Sequence, residues 1–296
     1  MSLSPTYLPA ALALLSAFLF ALSDQLAHRG LETADARSGA VVSLAICAGV
    51  FWVFAPWLMQ ASYWLTGTTA LFAAVGIFRP ALSIYLALMG IGYLGPTLAS
   101  AFSATSPLWG SALAVTILGE HITPAIAAGT AAVMAGAVLA SLRPQGVARH
   151  WPLWALLFPL GAALIRGCSH VVTKYGYQEI PSPYFAALIA ATVSAVLSTI
   201  VFLWQGRRFK GTGGLGPWWA AYKWFLISGA LNGLAFFTLN TALAKGSVVT
   251  VMPVASAGPV FTLLLGLIVF RSEGITWRTA ATIALVVPGI ILVVLR

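Results

Sequence analysis

The amino-acid sequence predicts an all-α membrane protein: ten transmembrane helices, arranged as two inverted five-helix repeats around a central cavity. Three observations predict it. Hydrophobic residues make up 60% of the 296 residues and charged residues only 7%, against about 25% charged in a soluble domain. Apolar runs of about 20 residues, the length that crosses a bilayer, follow one another with short polar breaks. The sequence around Pro107 also returns around Pro259.

The spans are expected at 8–27, 39–59, 69–88, 94–118, 125–142, 152–173, 184–205, 223–243, 247–270 and 279–295. Unpaired backbone groups are too costly in lipid for anything but helices or closed barrels. Barrel strands alternate in segments of about ten residues, whereas these runs are continuously apolar and rich in Ala and Leu. The first span is read as retained, because Met1–Tyr7 carries no Lys or Arg and so lacks the basic start of a secretory signal. The longest breaks are 28–38, 143–151 and 206–222, the last of them Gly-rich. None is long enough for a soluble domain.

The net charge of +9 does not point to nucleic acid. The basic residues sit singly or in short clusters between apolar runs, as loop charges do. Odd-numbered loops hold Arg29, Arg37, Arg143, Arg149, Arg207, Arg208, Lys210, Arg271 and Arg278, with Lys223 at the next helix start. Even loops and the C-terminus hold Lys174, Lys245 and Arg296. The positive-inside rule then places odd loops in the cytoplasm and both termini outside. The two cysteines, Cys47 and Cys168, lie far apart inside apolar runs and read as small core residues.

The repeat aligns 107–139 with 259–292, with one residue inserted. Pro107 matches Pro259, and Glu120-His121-Ile122-Thr123 matches Glu273-Gly274-Ile275-Thr276. Apolar matches are cheap in such a chain; the Pro and the Glu-x-Ile-Thr are not. Two units follow, 1–143 and 151–296, each with five spans. Five is odd, so the halves enter the membrane from opposite sides. Inverted repeats are the architecture of many secondary transporters, with a site near the midplane between the repeats.

Ser106-Pro107-Leu108-Trp109, then Leu118-Gly119-Glu120, then Gly136 resembles the EamA-type fold of the drug/metabolite transporter superfamily. The pattern recurs as Gly258-Pro259-Val260-Phe261, Glu273 and Gly289. The resemblance covers nearly the whole chain in two copies. It implies a ten-helix carrier with a cavity between five-helix halves, in the inner (plasma) membrane, exporting amino acids or related small metabolites. A multidrug exporter and a lipid-linked sugar flippase are the alternatives on the same fold. The family is usually drawn with both termini cytoplasmic, which the charge count contradicts.

Arg79 and Arg166 are the two cations expected inside spans, where a charge is expensive and points to function. Arg79 precedes Pro80, which loosens the helix and frees a carbonyl. His170 lies one turn beyond Arg166 on the same face. Asp24 is the one acid placed inside a span, so the cavity is expected to be net positive and to bind a small molecule bearing an anionic group, which bidentate Arg suits. Asn232 and Asn240 are expected to face the interior, and Trp109 to pack at the kink or stack on substrate. Arg79, Arg166, Asn232, His170, Trp109 and Asn240 form the candidate binding set. Asp24 and His170 are candidates for a proton relay, and Pro107 and Pro259 for hinges. Glu120 and Glu273 are expected to serve helix N-termini.

No HExxH, GxSxG with a partner His and acid, or paired catalytic aspartates occur, which argues against a membrane-embedded enzyme. No filter loop suggests a channel. No cofactor or metal is expected. The partners expected are the substrate and membrane lipid, for a monomer.

Overall fold

The computed structural model describes residues 7–83, 86, 89–90, 93–94, 99, 102–141, 152–205, 218–268 and 277–295. Every element among them is helical. In chain order these are α1 (Leu8–Gly30), α2 (Ala36–Leu58), α3 (Thr68–Gly76), α4 (Ser106–Leu118), α5 (Pro124–Ser141), α6 (Leu157–Gly176), α7 (Pro183–Trp204), α8 (Trp218–Lys245), α9 (Val248–Ala255), α10 (Gly258–Ile268) and α11 (Trp277–Val294). Short 3₁₀ turns occupy Ala61–Leu65 and Leu153–Leu156.

Among the described residues, six stretches are long and apolar enough to cross a membrane: Leu8–Gly30, Ala36–Leu58, Leu153–Gly176, Pro183–Trp204, Tyr222–Lys245 and Val248–Gly266. Four shorter apolar helices, Thr68–Arg79, Ser106–Leu118, Pro124–Leu139 and Ala280–Val294, bring the number among the described residues to ten. The outer surface is apolar to a degree water would not tolerate. Leu65 is 92% exposed, Trp204 87% and Trp57 76%, and tryptophans of this kind favour the membrane–water interface.

Local chemistry sets several helix ends. The Asp35 carboxylate accepts from the backbone N–H of Arg37 (3.2 Å) and Ser38 (3.1 Å) to start α2. Ser182 Oγ accepts from Phe185 N–H to start α7, with Pro183 in its first turn. Gly119 closes α4 at φ +68°, a left-handed conformation in which a side chain would be strained.

Three expected spans are not continuous. The third is α-helical only to Gly76 and passes through a wide π turn over Ile77–Leu82. Arg79 there is extended, φ −131° and ψ 124°, because the residue before a proline is driven out of the α region. The fourth breaks into a turn at Ala104–Thr105 before α4, and the ninth is two helices, α9 and α10, separated by Ser256–Ala257. Both breaks fall just ahead of a matched proline, Pro107 or Pro259.

Packing follows small residues. α1 lies along α8 and α5 along α11; α2 packs on α7 and α8, α4 on α6, and α1 on α10. A side chain at Gly129 would strike the Gly289 carbonyl at 2.5 Å, so α5 and α11 touch backbone to backbone. The Tyr184 hydroxyl donates to the Phe51 carbonyl, fastening α7 to α2.

Candidate functional site

Proline chemistry builds the site. In a continuous helix the carbonyl of residue i−4 receives the N–H that proline lacks. Pro80 cannot give the Gly76 carbonyl its usual α-helical donor, and Ser194 Oγ on α7 stands 2.8 Å from that oxygen and 3.0 Å from the Arg79 carbonyl. Pro107 strands the Ser103 carbonyl, and the Arg166 guanidinium takes it, Nη2 donating at 3.0 Å. The carbonyl that Pro80 cannot serve is thus met by a serine of α7, and the one that Pro107 cannot serve by a candidate site residue.

A cavity of about 420 Å³ opens at the two helix breaks. Ser103, Ala104 and Ser106 line it from one break, and Ala255, Ser256 and Pro259 from the other. Arg79, Arg166 and His170 project into it, with Phe20, Leu239 and Met252 among the apolar lining. Arg79 Nη1 is 3.3 Å from His170 Nε2. That contact is attractive only when the ring nitrogen presents its lone pair to the arginine. The Arg79 guanidinium also lies 5.9 Å from the Phe236 ring centre.

Among the described residues neither arginine meets a carboxylate, and the buried Arg166 Nε has no hydrogen-bond partner. Two guanidinium groups therefore face one cavity with donors to spare. The N-termini of α4 and α10 start at its wall, and helix N-termini favour anions. Chemically the arrangement suits an anionic group, held by bidentate arginine.

The other candidates are distributed more widely. Asn232 lines a neighbouring cavity of about 240 Å³ that also contains Arg79 and Phe20. Asn240 is committed elsewhere: its side-chain oxygen accepts from Tyr177 Oη (2.7 Å), and its amide nitrogen donates to the Phe236 carbonyl. It lines neither cavity. Trp109 lies against Gly167 beside the break, outside both linings, and its buried Nε1 has no partner among the described residues. Asp24 is exposed on α1 and lines neither cavity, so it is not brought to His170. Glu273 lies outside the described residues.

Glu120 serves a helix N-terminus, but not that of the helix following it in sequence. Its two oxygens accept from Val248 N–H (2.8 Å) and Val249 N–H (2.9 Å) at the start of α9. Lys174 answers from the other side of the same turn, donating to the carbonyls of Leu243 (2.7 Å) and Gly246 (2.9 Å) at the end of α8. Lys174 is therefore more than a loop charge. Sequence reasoning also passed over Phe20 and Met252, which nothing distinguishes from the other apolar residues of the spans; Ser103 and Ser106 had a signal, the run of small polar residues before Pro107.

The EamA-like transporter family matches residues 8–142 and again 153–295. A riboflavin transporter of Rhizobium johnstonii is 30% identical over 189 residues, covering 62% of this chain. The chain spans 58% of that relative's length. A crystal structure with 19% sequence identity superposes with a TM-score of 0.75, covering 97% of this chain and 96% of the other; at that identity it speaks to the fold alone.

Proposed function

Because this chain belongs to the EamA-like transporter family, and is thus a multi-pass membrane transporter, we propose that it is a secondary carrier of small anionic metabolites. The observation that carries this reading is the cavity itself. Arg79 and Arg166 face it without a carboxylate partner among the described residues, at the place where two spans break. An unpaired intramembrane cation is expensive, and a substrate anion offsets that cost on binding.

Alternating access between two inverted five-helix halves is the mechanism we favour. Three features support it. The family match occurs twice, once in each half. The broken spans pair through Pro107 and Pro259. The packing has a two-fold pattern: α4 lies on α6 as α10 lies on α1, and the third span lies on α7 as α8 lies on α2. The cavity sits between the breaks, so rocking of one half on the other would expose it to each side in turn. The odd loops are assigned to the cytoplasm on their charge. Arg37 meets Gln205 (3.3 Å) and Arg29 lies over Trp224 at 5.8 Å, which gathers the basic ends of α1, α2, α7 and α8 on one side.

The substrate class is an amino acid or related metabolite with an anionic group. The relative named a riboflavin transporter favours the metabolite end of that range. Counterflow in proteoliposomes tests the reading: vesicles preloaded with an unlabelled anionic metabolite should accumulate the labelled form. Arg166→Ala should reduce that uptake at least about tenfold, the effect of removing a charge-assisted pair. Wild-type uptake by Arg166→Ala would remove the anion site from the mechanism. Equal flux with and without preloading would indicate a channel.

A further inference from the structure

The larger cavity does not end at Arg79. Arg79 and Phe20 also line the smaller one, which lies among α1, α2, α7 and α8. The two chambers thus share a wall, and their chemistries differ. The first holds Arg166, His170 and the two broken helices. The second is mostly apolar, with Phe236 in its lining, and Arg79 is its one charged group among the described residues.

Its amide is the informative residue. Asn232 is half-buried, lines the smaller chamber and has no hydrogen-bond partner among the described residues. Asn240, two turns along the same helix, uses both its oxygen and its nitrogen within the protein. A side-chain amide carries donors and an acceptor side by side, and those of Asn232 are left for the chamber it lines. The same donor–acceptor pair reads the edge of a nucleobase when Asn meets adenine. The chamber therefore presents a mostly apolar lining and one amide, with the Arg79 guanidinium shared with the larger cavity.

The geometry points to a bipartite substrate: an anionic group held by Arg79 and Arg166, carrying a planar nitrogen heterocycle that passes Arg79 into the smaller chamber and pairs with Asn232. This rests on the anion-binding reading of the larger cavity. It narrows that reading, because a simple amino acid or dicarboxylate has no ring to fill the second chamber. The volumes agree with it: sites for drug-sized ligands begin near about 300 Å³, and the chambers offer about 420 and 240 Å³.

The test compares matched probes on the purified full-length protein. Ribose 5-phosphate supplies the anion without a planar heterocycle. Uridine, adenosine and riboflavin 5′-phosphates supply both. Affinity is read by calorimetry, and thermal unfolding checks that each variant is folded. At least one ring-bearing probe should bind about tenfold or more tighter than ribose 5-phosphate. Asn232→Ala should erase that advantage and leave ribose 5-phosphate unaffected. Ser43→Leu, which fills the smaller chamber from α2, should do the same by bulk. The proposal is overturned if every ring-bearing probe binds no tighter than ribose 5-phosphate, or if the advantage survives in both variants. A different result sinks the underlying anion reading: no phosphate probe binds, or Arg166→Ala leaves all affinities unchanged.

Discussion

Arg166 holds the carbonyl that Pro107 leaves unpaired, its Nη2 donating to the Ser103 oxygen at 3.0 Å. One side chain thus does two things. It stabilises the break in the fourth span, and it keeps the rest of its guanidinium facing the cavity. Ser194 does the corresponding service for Pro80, which fixes the backbone of Arg79. The two cations are positioned by the same defect: a proline that opens a helix, with a polar group from a neighbouring helix closing it.

Arg79→Ala should separate stability from transport. A buried ion that serves structure has a partner, and removing it leaves a buried charge unpaired at a cost of about 3–5 kcal/mol. Arg79 has His170 and the Phe236 ring, but no carboxylate among the described residues. Its removal relieves a desolvated cation and orphans no acid. Arg79→Ala should therefore unfold at the wild-type temperature or slightly above it, while anion counterflow falls about tenfold or more. A large loss of thermal stability would show that Arg79 is structural.

Gly167 and Gly110 face each other where α6 crosses α4, yet they should respond differently. A Cβ at Gly167 would meet Gly110 N at 2.6 Å and the Ser106 carbonyl at 2.9 Å, both backbone atoms that cannot rotate away. A Cβ at Gly110 would find its nearest neighbour at 3.5 Å, an ordinary contact. Gly167→Ala should destabilise the protein by about 1–3 kcal/mol as overpacking does. It should also displace the adjacent Arg166 and weaken anion binding. Gly110→Ala should be close to neutral in both assays. Thermal unfolding and ligand titration of the two variants side by side decide it.

The contrast with the sequence follows from the range of each interaction. Hydrophobic runs are local, so the spans were legible to within a few residues. Arg79, Arg166 and His170 were legible as well, because a charge inside an apolar run needs no partner to be noticed. Pro80 signalled the opening at Arg79, since proline constrains the residue before it. In the fourth and ninth spans the sequence points to kinks at Pro107 and Pro259, but not to full breaks; whether a proline kinks or fully interrupts a helix depends on which neighbours take the carbonyls it cannot serve. Asn240 and Asn232 look alike in sequence. Only the fold separates them, giving Tyr177 to one and an open chamber to the other. Asp24 likewise reads as intramembrane, but its helix turns it away from both cavities.

Glu120 offers a test of how the halves of the chain are joined. Its carboxylate, just beyond α4, binds the first two N–H groups of α9, while Lys174 binds the last carbonyls of α8. The turn between α8 and α9 is thus clamped by a negative group at the positive helix end and a positive group at the negative end. Glu120→Ala removes both acceptors and should cost about 1–2 kcal/mol, the range of a lost cap. Glu120→Gln keeps one good acceptor and should lose about half as much. Lowered unfolding midpoints in that order would support the clamp. An Ala variant as stable as wild type would show that water replaces the carboxylate freely.

Pro107→Ala probes the break and the cation together. Alanine restores the N–H that proline lacks, so the Ser103 carbonyl regains its own helical donor and no longer needs Arg166. In the otherwise wild-type protein the gain is small, because that carbonyl is already paired. In an Arg166→Ala background the carbonyl is orphaned, and the same substitution should stabilise by about 1 kcal/mol more. A double-mutant cycle on thermal or denaturant unfolding should therefore give a coupling of about 0.5–3 kcal/mol, the size seen for residues sharing one network. Transport should fall in Pro107→Ala even though the protein is no less stable, because the helix can close across Ala104–Thr105 and the released Arg166 is no longer held at the cavity wall. Additive stabilities with unchanged transport would mean that the break and the cation are independent, and the proline would then be only a packing residue.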